Sequence, residues 1–236
     1  IRAAVTPDPA ADRSERLGYD AAGRKVVTID ALGAVIETQL DAAGHAVLQT
    51  ANAKLVNTAG LAAAPSLAAM KALIVADASS DRSSRSAYDA AGRLVYQVDS
   101  LGAVTASSYD GLGQVLRTTR YAKTIPADPA PTAAAIAAAL VADPERDQAT
   151  AYGYNAAGQV IALTDALGSV ETYSYDALGH KLGFVNKRGN AWTYTYDAAG
   201  RMLSETAPAV SLTSVGTDAA GNLVSPASAN PAVVTR

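Results

Sequence analysis

Apolar and polar residues roughly alternate along most of this chain in runs of six or seven, and each run ends at a short polar break closed by glycine. Arg93-Leu94-Val95-Tyr96-Gln97-Val98 and Ser169-Val170-Glu171-Thr172-Tyr173-Ser174-Tyr175 show the pattern, rich in β-branched and aromatic types. A period of two is what a half-buried strand requires, and at about 3.3 Å per residue each run predicts a strand roughly 20 Å long. The breaks share one signature: an apolar residue or Tyr, then Asp or Asn, two residues, and Gly.

That signature recurs twelve times. The first block carries it at Asp20 to Gly23, Asp30 to Gly33 and Asp41 to Gly44, and the second at Asp89 to Gly92, Asp99 to Gly102 and Asp110 to Gly113. A third block has Asn155 to Gly158, Asp165 to Gly168, Asp176 to Gly179, Asn186 to Gly189 and Asp197 to Gly200, with a stray copy over Thr217 to Gly221. From one Asp or Asn to the next the steps are 10 and 11 in each block, so the unit is two strands and two turns in 21 residues. An Asp at the start of a turn accepts hydrogen bonds from amides just ahead of it, and the closing Gly supplies a positive φ. Hairpin follows hairpin, which predicts an all-β fold, an antiparallel meander forming a continuous β-ribbon or part of a β-shell.

Two alanine-rich stretches interrupt the meander. Ser66 and Thr132 each follow a proline and can cap a short helix, with Leu67, Met70 and Ile74 on one face of the first, Ile136 and Leu140 on one face of the second, and Pro144 as its stop. Helices this short are marginal in water, so their apolar stripes must dock on the sheet. Each gives way to a polar exit, Asp81-Arg82 or Glu145-Arg146, before the next block, and Asp12-Arg13-Ser14-Glu15-Arg16 leads into Tyr19 in the same manner. The steps from Asp20 to Asp89 and from Asp89 to Asn155, 69 and 66, define a super-repeat. The expected organisation is repeats over 1–58, a helical insert over 59–77, repeats over 78–122, a Pro-rich linker and insert over 123–144, repeats over 145–224, and a linker or incomplete repeat carrying Pro226, Ser228, Asn230 and Pro231 over 225–236.

Composition narrows the function classes. With 236 residues, 49% of them apolar, 17% charged and a net charge of −3, the chain is a foldable polypeptide and not a disordered tail. Without a Lys/Arg cluster it lacks the electrostatic footprint of a nucleic-acid binder. No window is apolar enough for a membrane-spanning helix, and the absence of Cys excludes disulfides and thiolate metal sites. Ile1 reads as the start of an excised piece. Eleven of the thirteen aromatic residues are Tyr. Tyr19, Tyr88, Tyr109, Tyr154, Tyr175 and Tyr196 stand directly before a turn Asp or Asn, where rings can stack on neighbouring hairpins. Ile29, Leu40, Val98 and Thr164 fill the same place elsewhere, so the site asks for β-forming bulk. Aromatic faces beside carboxylates also suit sugars, which makes Tyr109, Tyr175 and Tyr196 candidate glycan contacts.

No cofactor, metal or catalytic site is expected. His45 and His180 each follow a turn Gly, a place held elsewhere by Arg24, Arg93, Gln114, Gln159 and Arg201, and read as outward strand starts without a partner. One carboxylate per turn supplies too few oxygens for calcium, and without a His partner no Ser or Thr forms a nucleophilic triad.

Tyr88-Asp89-Ala90-Ala91-Gly92-Arg93-Leu94-Val95 and Tyr196-Asp197-Ala198-Ala199-Gly200-Arg201-Met202-Leu203 resemble the Tyr-Asp repeat of bacterial Rhs and wall-associated proteins, shared with toxin-complex shells and teneurins. The resemblance covers residues 13 to about 224 and implies a structural wall segment of a large secreted or bacterial surface protein, its ribbon spiralling around a C-terminal toxin or offering an adhesive, glycan-binding surface. The implied partners are the rest of the parent chain and the enclosed toxin or surface glycans, and no enzymatic role. Family members that release cargo carry Asp-Pro-x-Gly at a self-cleaving segment, whereas Asp8-Pro9-Ala10, Asp128-Pro129-Ala130 and Asp143-Pro144-Glu145 are not followed by Gly, so no protease residues carry over.

Overall fold

The computed structural model describes residues 14–62, 64–127 and 130–208, together with 216–217, 220, 223–224 and 233–234. Asp218, Ala219 and Gly221 of the stray corner, the linker residues after Val224 as far as Ala232, Asp12-Arg13, and the Asp8-Pro9 and Asp128-Pro129 pairs lie outside the described residues. The chain forms two compact units, residues 1–108 with 119–147, and residues 109–118 with 148–236.

In the first unit seven strands run in sequence order: β1 (Arg16–Tyr19), β2 (Lys25–Ile29), β3 (Val35–Leu40), β4 (Ala46–Asn52), β5 (Arg82–Tyr88), β6 (Leu94–Val98) and β7 (Val104–Tyr109). Each pairs antiparallel with the next. After β8 (Val115–Arg120), the second unit continues with β9 (Gln148–Tyr154), β10 (Val160–Thr164), β11 (Val170–Tyr175), β12 (Lys181–Val185), β13 (Ala191–Tyr196) and β14 (Met202–Thr206). From β9 to β14 each strand is again antiparallel to its successor. Among the described residues the fold is an antiparallel meander of fourteen strands with two short helices, as the period-two pattern requires.

The corners fall into two sets. Those opened at Asp20, Asp41, Asp89, Asp110, Asn155, Asp176 and Asp197 close one rim of the meander, and Asp30, Asp99, Asp165 and Asn186 open the opposite rim. Every pre-turn Tyr belongs to the first set, with Leu40 as the one non-aromatic there, whereas Ile29, Val98, Thr164 and Val185 serve the second. At the Tyr rim the pairing slips by one residue, as between Ala87 and Tyr88 or Thr195 and Tyr196, but the pairs flanking the opposite corners, such as Val98 with Val104 and Val185 with Ala191, keep register.

Each helical insert stands where an opposite-rim corner would be, joining β4 to β5 and β8 to β9. The helices are shorter than the alanine runs: α1 is Leu67–Lys71 and α2 is Ala133–Ala139. The Ser66 and Thr132 hydroxyls accept the amides of Ala69 and Ala135, both at 3.2 Å. Pro144 does not stop α2, because Leu140 already turns extended, with ψ 137°. Burial holds these short helices: Met70 and Ile136 are fully covered. Met70 closes a core with Val27, Ile29, Val35 and Val56, and Ile136 closes one with Ala87, Val98, Val104 and Ile125. Ahead of each helix a buried apolar residue docks on an opposite-rim corner, Val56 N–H donating to Gly33 O at 2.8 Å and Ile125 N–H to Gly102 O at 2.9 Å.

The polar exits close each insert at its base. Asp81 accepts the amides of Ala53 and Asp77 on its two oxygens, and Asp147 accepts those of Ala122 and Asp143. Asp147, and not the Glu145-Arg146 pair, is therefore the counterpart of Asp81. Lys54 and Lys123 add salt bridges to Asp77 and Asp143.

Candidate functional site

The corner is the unit from which any function of this chain is assembled. At the first, Asp20 Oδ1 accepts the amides of Ala22 and Arg24 at 2.9 Å each, while Gly23 N–H donates to Asp20 O at 3.0 Å. Asp20 N–H donates to Arg24 O at 2.9 Å, and Gly23 takes φ +77°, the left-handed region where a Cβ is strained. The same two amide contacts to one side-chain oxygen recur at Asp30, Asp89, Asp99, Asp110, Asn155, Asp165, Asp176, Asn186 and Asp197. At Asp41 the carboxylate accepts the His45 amide. Gly33, Gly44, Gly92, Gly102, Gly113, Gly158, Gly168, Gly179 and Gly200 all hold positive φ. One oxygen in one place satisfies the turn, so Asn serves as well as Asp.

The second side-chain atom separates the two rims. At the Tyr rim it faces a long side chain directly after the Gly: Asp20, Asp89 and Asp197 take Nε of Arg24, Arg93 and Arg201 at 2.7 to 2.8 Å. Asp41 and Asp176 take Nδ1 of His45 and His180 at 2.9 and 2.8 Å. Where the corner residue is Asn155, its Nδ2 donates to Gln159 Oε1 at 2.8 Å, the donor and acceptor roles exchanged together. The opposite rim has Ala34, Ala103, Ser169 and Asn190 in this position. His45 and His180 are thus not unpartnered strand starts. The Arg24 amide and guanidinium hold the Asp20 carboxyl below the usual range, and Arg93 and Arg201 do the same for Asp89 and Asp197. Hydrogen bonds from His45 and His180 lower Asp41 and Asp176.

Neighbouring Tyr-rim corners are stapled together. The hydroxyls of Tyr88, Tyr154 and Tyr196 donate to the carbonyls of Ala46, Val115 and Lys181 at 3.3, 2.9 and 3.0 Å. Each acceptor lies two residues after the Gly of the preceding Tyr-rim corner. The His45 ring stacks on Tyr88 at 4.5 Å between centroids, and the His180 ring on Tyr196 at 4.8 Å. Tyr88 and Tyr154 reach across the inserts in sequence, so the ladder does not depend on which connection lies on the other rim.

Of the three tyrosines singled out for glycans, Tyr196 spends its hydroxyl and one ring face within the ladder. Tyr109 and Tyr175 are half-buried at the ends of β7 and β11, and Tyr175 stands in register with Lys181. A separate aromatic strip crosses the second unit: Tyr173, Phe184 and Trp192 are cross-strand neighbours with successive centroids 5.3 Å apart, and Lys181 Nζ lies 4.6 Å from the Tyr194 ring. Burial and a bond to Glu171 push the Tyr173 phenol up to about 12. The alternation in β11 and β13 carried the signal for this strip, but the cross-strand register was needed to see it. A polar cleft of about 500 Å³ in the first unit is lined in part by Thr50, Ser83, Arg85 and Asp99. Arg85, almost fully buried, donates from it to the carbonyls of Pro126 and Ala127 at 2.9 and 2.8 Å, tying the second insert to β5. Among the described residues no three His, Asp or Glu side chains gather as for a metal ion, and no helix is long and apolar enough to cross a membrane.

Residues 88–124, 141–183 and 185–209 match the RHS Repeat family. A search of curated proteins finds no match. Among solved structures, the crystal structure of TcdB2-TccC3 shares 20% identity, covering 94% of this chain and 13% of that one, with a TM-score of 0.43. TcdB2-TccC3-Cdc42 is 19% identical over the same shares, also with a TM-score of 0.43. A structure of the Photorhabdus luminescens Tc holotoxin pore is 19% identical over 94% of this chain and 13% of that one, with a TM-score of 0.42. The chain spans about an eighth of the length of these solved chains.

Proposed function

We propose that this chain, a member of the RHS-repeat family, is a non-catalytic wall segment of a much larger secreted or surface protein, whose β-ribbon encloses a toxin polypeptide. The Tyr-rim ladder is the observation that carries this reading. The corners at Asp41, Asp110 and Asp176 each present a carbonyl to the next Tyr, and those at Asp41 and Asp176 also a His ring to stack on it, so addition of two strands regenerates the acceptor it consumed. A structure that propagates by regenerating its own binding edge suits a wall. The chemistry is arranged accordingly, since the corner side chains accept backbone amides and, at Asp20, Asp41, Asp89, Asp176 and Asp197, also the side chain after the Gly.

The partners of the reading are the remaining repeats of the parent chain and the enclosed polypeptide. Negative-stain electron microscopy of the parent protein tests it: hollow closed particles are expected, and straight or branched filaments would refute enclosure. A glycan array with the intact segment, expected to show no binding, separates a wall from an adhesive surface.

A further inference from the structure

Three opposite-rim corners are equivalent across the super-repeats: adding 69 and then 66 carries Asp30 to Asp99 and Asp165, and Gly33 to Gly102 and Gly168. In all three, Oδ1 of the Asp accepts the two turn amides. The second oxygens differ. Asp165 Oδ2 meets Lys187 Nζ at 2.9 Å, a lysine carried by the next corner of the same rim, Asn186 to Gly189. That ammonium holds the Asp165 carboxyl below the usual range. After Asp99 the second insert replaces the next corner, and the lysine it brings, Lys123, pairs with Asp143 at its own base. Asp99 Oδ2 has no hydrogen-bond or ion-pair partner among the described residues.

Where Asp165 has a lysine, Asp99 has the polar cleft of the first unit. It is formed by the exit of the first insert, the Asp99 corner and the lead of the second insert, and its 500 Å³ falls within the range of small-molecule sites, about 300–1,000 Å³. The hollow at Asp30 is smaller, about 190 Å³. Besides Asp99, the described lining of the cleft offers Asp81 and Ser79 from the insert exit and, from the paired strands β4 and β5, Thr50 and Ser83, whose hydroxyls meet at 2.8 Å. Charge decides the class of ligand. Arg85, the one cation of that lining, commits its guanidinium to the Pro126 and Ala127 carbonyls, which leaves oxygen acceptors and two carboxylates to face a ligand. No third acidic or His side chain gathers with them among the described residues, too few oxygens for a divalent metal. An ammonium asks less, three acceptors at most, and makes a charge-assisted bond to each carboxylate. Asp81 can serve a second head, since each of its oxygens keeps a lone pair beside the amide of Ala53 or Asp77.

We propose that this cleft binds a linear polyamine, with one primary ammonium seated on Asp99 Oδ2 as Lys187 is on Asp165, and the other held at Asp81. The site is independent of whether the ribbon encloses anything.

The test titrates the full chain with putrescine and with spermidine by calorimetry, and follows its isotope-labelled amides by NMR. Saturable one-site binding is expected, with shifts concentrated at Thr50, Ser79, Ser83, Ser100 and Leu101. Butylamine, which has a single head, should bind at least tenfold more weakly. Asp99→Asn should weaken putrescine at least tenfold while leaving the thermal melt in place, because an Asn oxygen serves the turn at Asn155 and Asn186. Ala78→Trp, at an exposed position of the lining, should crowd the cleft and weaken binding without touching Asp99. Absence of saturation at millimolar polyamine overturns the proposal. So do binding that survives Asp99→Asn, equal affinity for butylamine, and shifts spread evenly over the corners, the mark of unspecific charge attraction. Displacement of putrescine by an equal concentration of Mg²⁺ would make this a metal site and likewise overturn it.

Discussion

Gly102→Ala separates the two jobs a corner glycine can have. Gly102 and Gly168 sit at equivalent corners with φ +84° and +78°, so a Cβ at either pays the same left-handed penalty, about 1–2 kcal/mol. At Gly168 that is the whole effect, since the space around it is open. At Gly102 the new atom meets the Ile125 carbonyl oxygen, a backbone group that cannot swing aside, so the segment must lift. Lifting breaks the Ile125 N–H bond to Gly102 O, about 1 kcal/mol. It also uncovers Ile125, 5% exposed, at about 1.5–3 kcal/mol. Gly102→Ala should therefore cost about 3.5–6 kcal/mol against about 1–2 for Gly168→Ala. Because repeat arrays need not unfold in one step, the readout is amide hydrogen exchange along each strand, supported by urea denaturation. Gly102→Ala should raise exchange at Ile136, Val98 and Val104 while sparing β11 to β14. Equal losses for the two variants would refute the role of corner docking in holding the insert.

Asp89→Ala should lower the urea midpoint, because the Ala91 and Arg93 amides lose their common acceptor, and Asp89→Asn should lower it clearly less. Tyr196→Phe, which removes the bond to Lys181 O, should cost about 1 kcal/mol by the same measurement. His180→Ala should let the Asp176 carboxyl rise toward its ordinary value in a carboxyl NMR titration. Asp20, Asp41, Asp89, Asp176 and Asp197 titrate below the ordinary aspartate range in the folded chain, held there by hydrogen bonds from the residue after the Gly. Their contribution is fully present above the unfolded value and disappears as pH falls through the lower folded one. Thermal stability should accordingly hold from neutral pH to about pH 5 and decline below about pH 4.

The corners were legible in the sequence because everything they need is within five residues: an oxygen for two amides and a glycine for one dihedral. The meander followed, since corners ten and eleven residues apart leave room only for strands. The two rims were less visible. Tyr and aliphatic residues before the Asp look interchangeable along a line, and only the pairing shows that Tyr88 and Tyr196 share a rim that Ile29 and Val98 never touch. The helices were found by composition, but their seating depends on Gly18 and Ala87, roughly fifty residues upstream, and on Arg85 reaching forward to Pro126. The histidines read as unpartnered because a lone His at a polar repeat position carries no pattern of its own, although the spacing of four that joins Arg24 to Asp20 joins His45 to Asp41 and His180 to Asp176 as well.

The unlike rims also constrain how such a gene can grow. Copying a single strand with its corner would hand every later tyrosine to the wrong border, away from the carbonyls that Tyr88, Tyr154 and Tyr196 meet. Viable lengthening therefore comes in even numbers of strands, and a frame-preserving deletion of 21 codons should be tolerated where one of 10 or 11 is not.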